Sequence, residues 1–501
     1  MKRDAAIARN TGWNFVGTAL PIVVAIFTVP PLIHALGVER FGVLTLAWTI
    51  TGYFALFDFG LGRATTKFVA EYIERGALER LPQLVWSSLT AHTVLGLVGG
   101  ALLALLTPLL AGGFFNVTAE LLPEVRVTFY LLALSVPLVV STACLRGLLE
   151  AVHRFDLVNL VRIPAGIVNY AGPLVVVLYT SNLIAVVGFI VATRAIVLAV
   201  YAMLGFGQLP VATGRYAFAA NQLRPMLGFG GWLTVSSVIS PLIVFIDRFA
   251  IGALVSMSAV AYYATPYEVV TKLWIFSASL LAALFPVLSA LAVAPGAEIR
   301  MLYGRATRYL LVIVAPCVGL LLAFAEDLLR IWIGAEFAQE SAPAAKWLAL
   351  GVLINVIAQV PFTVLQGIGK AGTAARLQLA QLPFYALALW YLTITFGVRG
   401  AAMAWAARAA LDFLLLAYAA DRAMPEAGTA HSRLPLHQGA VTGVALIGFW
   451  LVGTTFSGEF LLKFAVFGII LAFFIFWEWA FVLDTADRSS LINAARQARL
   501  S

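Results

Sequence analysis

Charge is scarce in this chain. Only 11% of its 501 residues are Asp, Glu, Lys or Arg, while 62% are hydrophobic. Ordinary soluble domains carry about 25% charged residues. An ordinary water-facing surface is therefore excluded, and the mean hydropathy of +0.96 points to a polytopic membrane protein. Cysteine is scarce too. Cys144 and Cys317 both lie in apolar runs, form no metal spacing and read as buried thiols. The five histidines (His34, His92, His153, His431, His437) show no metal-ligand spacing either. No Gly-x-x-x-x-Gly-Lys-Ser/Thr loop is present, so ATP hydrolysis by the chain itself is not expected. The run Gly367-Ile368-Gly369-Lys370-Ala371-Gly372 formally matches a dinucleotide fingerprint. It follows a membrane helix rather than a strand and reads as a loop turn. No catalytic constellation emerges, and the loops are too short for a soluble catalytic domain, so the chain is expected to be no enzyme and to need no cofactor or metal. The net charge of +8 does not suggest nucleic acid, because the basic residues are scattered through short loops. The start, Met1-Lys2-Arg3-Asp4, lacks signal-peptide architecture, so the first apolar stretch is expected to be a permanent helix.

What the chain does contain is long apolar runs. A crossing helix needs about 20 such residues. All-α structure with about fourteen transmembrane helices is predicted, over 11–34, 42–62, 84–112, 127–148, 161–180, 183–205, 226–248, 260–290, 309–326, 346–367, 378–396, 400–420, 438–454 and 461–483. The runs are too long for barrel strands and lack strict alternation. With the N-terminus taken as cytoplasmic, most of the 32 lysines and arginines fall in cytoplasmic segments. The positive-inside rule then predicts that both termini are cytoplasmic. Arg63 to Leu81 mixes charged and apolar residues (Lys67, Phe68, Val69, Glu71, Tyr72, Ile73) and reads as an amphipathic surface helix or a solvated connector.

The two halves echo each other. Ala192-Thr193-Arg194-Ala195 and Ala406-Ala407-Arg408-Ala409 lie about one half-chain apart, and Leu132-Ala133-Leu134 and Leu348-Ala349-Leu350 repeat at nearly the same offset. Two pseudo-symmetric six-helix lobes, 1–215 and 216–425, are predicted, related as parallel repeats. Residues 426–501 add two more helices and a cytoplasmic tail.

Ionisable residues inside these spans are the candidate site. An arginine at the bilayer centre costs at least ~2.5 kcal/mol, so it is a functional candidate by default. Arg194 lies ~12 residues, or ~18 Å, from the outer end of its span, with no local partner in sequence. Arg408 has Asp412 one turn later on the same face, and Glu268 precedes Lys272 by one turn. Asp247, Arg248, Asp58 and Arg63 lie near span ends. Arg194, Arg408, Lys272, Arg248 and Arg63 would attract an anionic head group, and guanidinium suits phosphate. Asp58, Asp247, Glu268 and Asp412 would pair with these cations or bind a coupling proton or Na⁺. The bland alternative is a set of structural ion pairs that lock helices together.

Several stretches carry a family resemblance. Ala35-Leu36-Gly37-Val38-Glu39-Arg40-Phe41-Gly42, leading to Phe57-Asp58-Phe59-Gly60-Leu61-Gly62-Arg63-Ala64, resembles the opening of Wzx-type polysaccharide flippases. Arg146-Gly147 through Arg154-Phe155-Asp156, Ile246-Asp247-Arg248 through Ala261-Tyr262-Tyr263, and Gln366-Gly367-Ile368-Gly369-Lys370 are similar to the same family. These flippases belong to the multidrug/oligosaccharidyl-lipid/polysaccharide exporter superfamily. The resemblance implies a V-shaped pair of lobes around a central cavity in a bacterial inner membrane. It also implies alternating-access transfer of an undecaprenyl-pyrophosphate-linked oligosaccharide (an O-antigen, exopolysaccharide or capsule repeat unit), with ion coupling expected. Expected partners are that lipid-linked oligosaccharide, membrane lipids, a polysaccharide polymerase and a chain-length regulator. The two C-terminal helices depart from the twelve-helix flippases and occur in the lipid II flippase branch. That branch and the drug/cation antiporters of the superfamily remain alternatives.

Overall fold

The computed structural model describes residues 20–56, 60–209, 218–220, 222, 223, 225, 226, 245–291, 297–424, 436–456 and 458–482. All regular structure among them is helical. Ten helices among the described residues are long and apolar enough to cross a membrane. They coincide with eleven of the fourteen predicted spans, because one helix holds two. That helix runs Ala371–Ala423, 53 residues. At ~1.5 Å per residue it would reach ~80 Å, far beyond the ~30 Å hydrocarbon core. Gly397 breaks it, with φ 58° and ψ −135°, a conformation open only to glycine. The turn then tightens at Gly400, where a Cβ would lie 1.8 Å from the Leu392 carbonyl oxygen.

The chain divides into two compact units, Met1–Ala261 and Tyr262–Ser501. The predicted lobe boundary at 215/216 lies outside the described residues. In the first unit, α1 is Leu20–Leu36 and α2 is Val38–Leu56. A short helix, α3 (Leu61–Glu74), precedes α4 (Leu81–Leu109), α5 (Leu122–Ala151), α6 (Phe155–Val177) and α7 (Leu183–Gln208). Helix α8 (245–254) completes the set, and Asn116 Nδ2 donates to the Ala253 carbonyl from the α4–α5 connection. Residues 227–244 of predicted span 226–248 lie outside the described residues.

Helix α5 is the hub of the first unit. Its most apolar window is 61% buried, against 17% for α6. In lipid, apolar side chains gain little from helix association, so close packing needs small residues. Gly96 and Gly100, one turn apart on α4, supply it. A Cβ on either would lie 2.5 Å from an α5 backbone atom, at Pro137 and Ala133. Pro82 and Pro123 sit in the first turns of α4 and α5, where a missing N–H costs nothing. Glu124, in the first turn of α5, ties three helices. It accepts from Arg40 Nε at 2.9 Å and from the Leu183 N–H at 2.5 Å.

The predicted 63–81 surface helix is three pieces. Helix α3 buries Leu61, Ala64, Thr65 and Val69 along one stripe against α4 and α5, with Arg63 and Lys67 exposed opposite. Gly76 at φ 68° ends it, a one-turn 3-10 helix (Leu78–Arg80) follows, and the chain enters α4. The stripe makes α3 amphipathic, as the sequence suggested. Its buried face rests on protein.

In the second unit, α9 is Met257–Val270 (its first turn belongs to the first unit) and α10 is Trp274–Leu291. Helices α11 (Ala297–Trp332), α12 (Ala335–Gly367), α13 (Ala371–Ala423), α14 (Leu436–Thr455) and α15 (Phe460–Trp477) follow. Helix α12 is the counterpart of α5, with 67% of its apolar window buried. The two added helices join through α11. A Cβ on Gly319 of α11 would lie 2.4 Å from the Phe449 ring of α14, and one on Gly453 of α14 would lie 2.4 Å from the Leu322 carbonyl oxygen. Each helix thus makes room for the other. Large side chains such as Leu105, Leu178, Met203, Ile331, Leu461 and Ile469 are well exposed, a coating that only a lipid environment accommodates.

Candidate functional site

Arg194 sits on α7, half-buried in the first unit. Its Nη2 donates to Asn169 Oδ1 on α6 at 3.0 Å. Residues of α6 and α7, among them Ala165, Asn169, Ile190 and Thr193, enclose about 10 Å³ beside the guanidinium. That is roughly one water. Sequence spacing offers Arg194 no local partner. The structure supplies one from the neighbouring span, 25 residues earlier, where no helical spacing would reveal it.

Arg408 lies in the second unit, on the second half of α13, and its neighbours are rings. Its guanidinium carbon lies 5.4 Å from the Tyr385 centroid and 5.8 Å from that of Trp405. Trp405 is itself packed edge-on against Tyr267 of α9, which stacks on Tyr263. Trp405 precedes Arg408 by three residues, so helical spacing alone places both on one face. The expected Arg408–Asp412 pair does not form. Asp412 is buried, and its Oδ1 accepts from Gln381 Nε2 on the first half of α13 at 3.0 Å. The ring stack occupies Arg408, and the carboxylate turns to the neutral amide across the Gly397 break.

The other candidates sort differently. Glu268 and Lys272 form the expected ion pair, 3.3 Å apart on the exterior of the second unit. Asp247 and Arg248 lie deep in the first unit, at 0% and 4% exposure, rather than at an open span end. The Asp247 carboxylate accepts the Arg248 backbone N–H at 2.7 Å. Arg248 Nη1 donates to Thr49 Oγ1 of α2 at 3.0 Å, with the Phe245 ring 5.4 Å away. Arg63 is exposed at the start of α3. Asp58 lies outside the described residues. Arg194 in the first unit and Arg408 in the second thus sit next to polar or aromatic partners and have no carboxylate within ion-pair distance among the described residues.

The family model for "Polysaccharide biosynthesis protein" matches residues 7–292. A Shigella flexneri protein named "Putative O-antigen transporter" is 29% identical over 411 residues, covering 82% of this chain and 97% of the relative. Among solved structures, an inward-facing multidrug resistance MATE family transporter of the MOP superfamily superposes with a TM-score of 0.66. Its identity is 16%, and the match covers 82% of this chain and 97% of that one. The lipid II flippase MurJ gives a TM-score of 0.61 at 13% identity, over 90% of this chain and 99% of that one. At these identities the two structures speak for the fold alone. They share it across nearly their whole length. The chain belongs to the polysaccharide biosynthesis protein family and is a multi-pass membrane protein with a fold shared by MOP-superfamily transporters.

Proposed function

We propose that this protein is a flippase that moves an undecaprenyl-pyrophosphate-linked oligosaccharide across a bacterial inner membrane by alternating access, with both termini cytoplasmic. The observation that carries this reading is the likeness to the O-antigen transporter relative over 97% of that relative's length. The chemistry of the chain is compatible. Arg194 and Arg408 sit mid-span and, among the described residues, make no ion pair with a carboxylate. A pyrophosphate crossing the bilayer needs such donors, because hydrocarbon offers none. Asn169 and the Tyr385–Trp405 rings hold the two guanidinium groups in place without neutralising them. In this proposal two six-span lobes carry one arginine each, and a proton or Na⁺ gradient drives return of the empty protein. The buried carboxylates Asp247 and Asp412 are the proposed coupling groups.

The test is genetic and chemical together. Deleting the gene in its host should deplete surface polysaccharide and accumulate pyrophosphate-linked repeat units in the inner membrane. Plasmid-borne wild type should restore export, while Arg194→Ala and Arg408→Ala should reach the membrane and fail. Normal surface polysaccharide in the deletion strain, combined with new sensitivity to cationic drugs, would replace this reading with that of a drug antiporter.

A further inference from the structure

A second polar site lies in the second unit, and its lining does not include Arg408 or the rings beside it. A cavity of about 270 Å³ opens where α11, α12, the Gly397 break of α13 and the end of α14 meet, lined by Glu326, Gln339, Lys346, Arg399, Trp450 and Thr454. The lining residues lie near the ends of their helices or the chain reversal, which places the cavity toward one end of these helices. Lys346 is set deeper on α12. Helical side chains lean toward the N-terminus, so its ammonium reaches back toward this end.

The charges there are unequal. Glu326, the carboxylate in the lining, pairs with Arg330 at 2.7 Å, and the adjacent Asp327 pairs with Lys463 of α15. Lys346 and Arg399 have no carboxylate within ion-pair distance among the described residues. Lys346 is 8% exposed and donates to the Gly453 carbonyl at 3.2 Å, with the Trp450 ring 5.9 Å away. A buried ammonium held by one neutral carbonyl and a ring face keeps most of its charge uncompensated. Arg399, exposed just past the break, adds a planar fork of donors, and Gln339 and Thr454 add neutral ones.

We propose that this cavity binds a phosphate group, carried by the headgroup of an anionic membrane lipid. Donors that converge from three helices suit a group with oxygens on several sides, and the guanidinium suits phosphate in particular. The lipid source follows from the flanks. Ile331 at the end of α11 and Leu461 at the start of α15 are 81% and 86% exposed at this same end, apolar surface for acyl chains beside a polar socket. The lipid would thereby clamp α14 and α15, the two added helices, against α11.

The experiment uses the full chain purified in detergent, with lipid retention read by native mass spectrometry. Phosphatidylglycerol should be retained over zwitterionic phosphatidylcholine, and Arg399→Gln should lower that retention about tenfold, the scale of one charge-assisted contact. Arg399 is exposed, so the variant folds; Arg399→Lys should recover part of the binding. Glu326→Gln should tighten it, because a negative charge leaves the lining. Competition by millimolar glycerol 1-phosphate without preference among lipids would keep the phosphate site and assign it to a soluble ligand. Equal retention of both lipids without such competition, or phosphatidylglycerol retention indifferent to both Arg399→Gln and Glu326→Gln, would overturn the proposal.

Discussion

Arg194 and Arg408 stand at matching sequence positions of the two halves and are held by different chemistry. The first leans on an amide, Asn169, beside a void the size of one water. The second lies against Tyr385 and Trp405 in a stack that continues to Tyr267 and Tyr263. The carboxylate Asp412 and its amide partner Gln381 sit on α13 near Arg408. No described residue of α6 or α7 makes an equivalent pair beside Arg194. The lesson is that two alike local sequences each place a charge within a span, while the neighbouring residues decide what holds it. If the two arginines serve the same phosphate-bearing cargo, the amide-held one keeps its donors in a small wet space. The ring-held one trades donor partners for orientation and shielding from lipid.

Mutations can break or sharpen this contrast. The largest effect should come from the charges themselves. Arg194→Ala and Arg408→Ala should each reduce polysaccharide export more than about tenfold, since one lost charge-assisted contact of 1.5–3 kcal/mol already reaches that scale. Lysine at either place should recover only part, because the fork geometry is lost. Next, Gln381→Leu takes away the amide that donates to the buried Asp412 carboxylate. A loss of about 1–3 kcal/mol is expected, read as a lower thermal midpoint in detergent, with Arg194→Ala far milder by the same measure. Gly453→Val should cost about 1–3 kcal/mol by driving a side chain into the α11 backbone at Leu322, and should loosen the added helices specifically. Smallest, Tyr385→Leu removes one ring from Arg408 for about 0.5–2 kcal/mol, while Asn169→Ala should change stability by about 1 kcal/mol and leave Arg408 untouched.

Much of the fold was legible because crossing a bilayer is a one-dimensional constraint. Length and apolarity alone located the helix pairs from 84 to 205 and from 260 to 483, and the turn at Gly397 fell between two predicted spans. The surface segment at 63–81 was harder. Its period was visible, but the Gly76 turn that divides it depends on a single backbone angle. Side-chain partners were legible only within one helix. Glu268–Lys272 followed from spacing, and Trp405 beside Arg408 could have. Asn169 with Arg194, Gln381 with Asp412 and Thr49 with Arg248 each cross between helices, where helical periodicity carries no signal. The Arg408–Asp412 expectation failed for the same reason: spacing allowed the pair, and tertiary neighbours outcompeted it.

The most direct measurement is a leaflet-transfer assay. Purified protein would be reconstituted into vesicles holding an undecaprenyl-pyrophosphate-linked oligosaccharide, and transfer to the opposite leaflet followed by its accessibility to an added enzyme. The account predicts transfer by the wild type, reduced at least about tenfold in both Arg194→Gln and Arg408→Gln at equal protein incorporation. Wild-type transfer rates in both variants would contradict it.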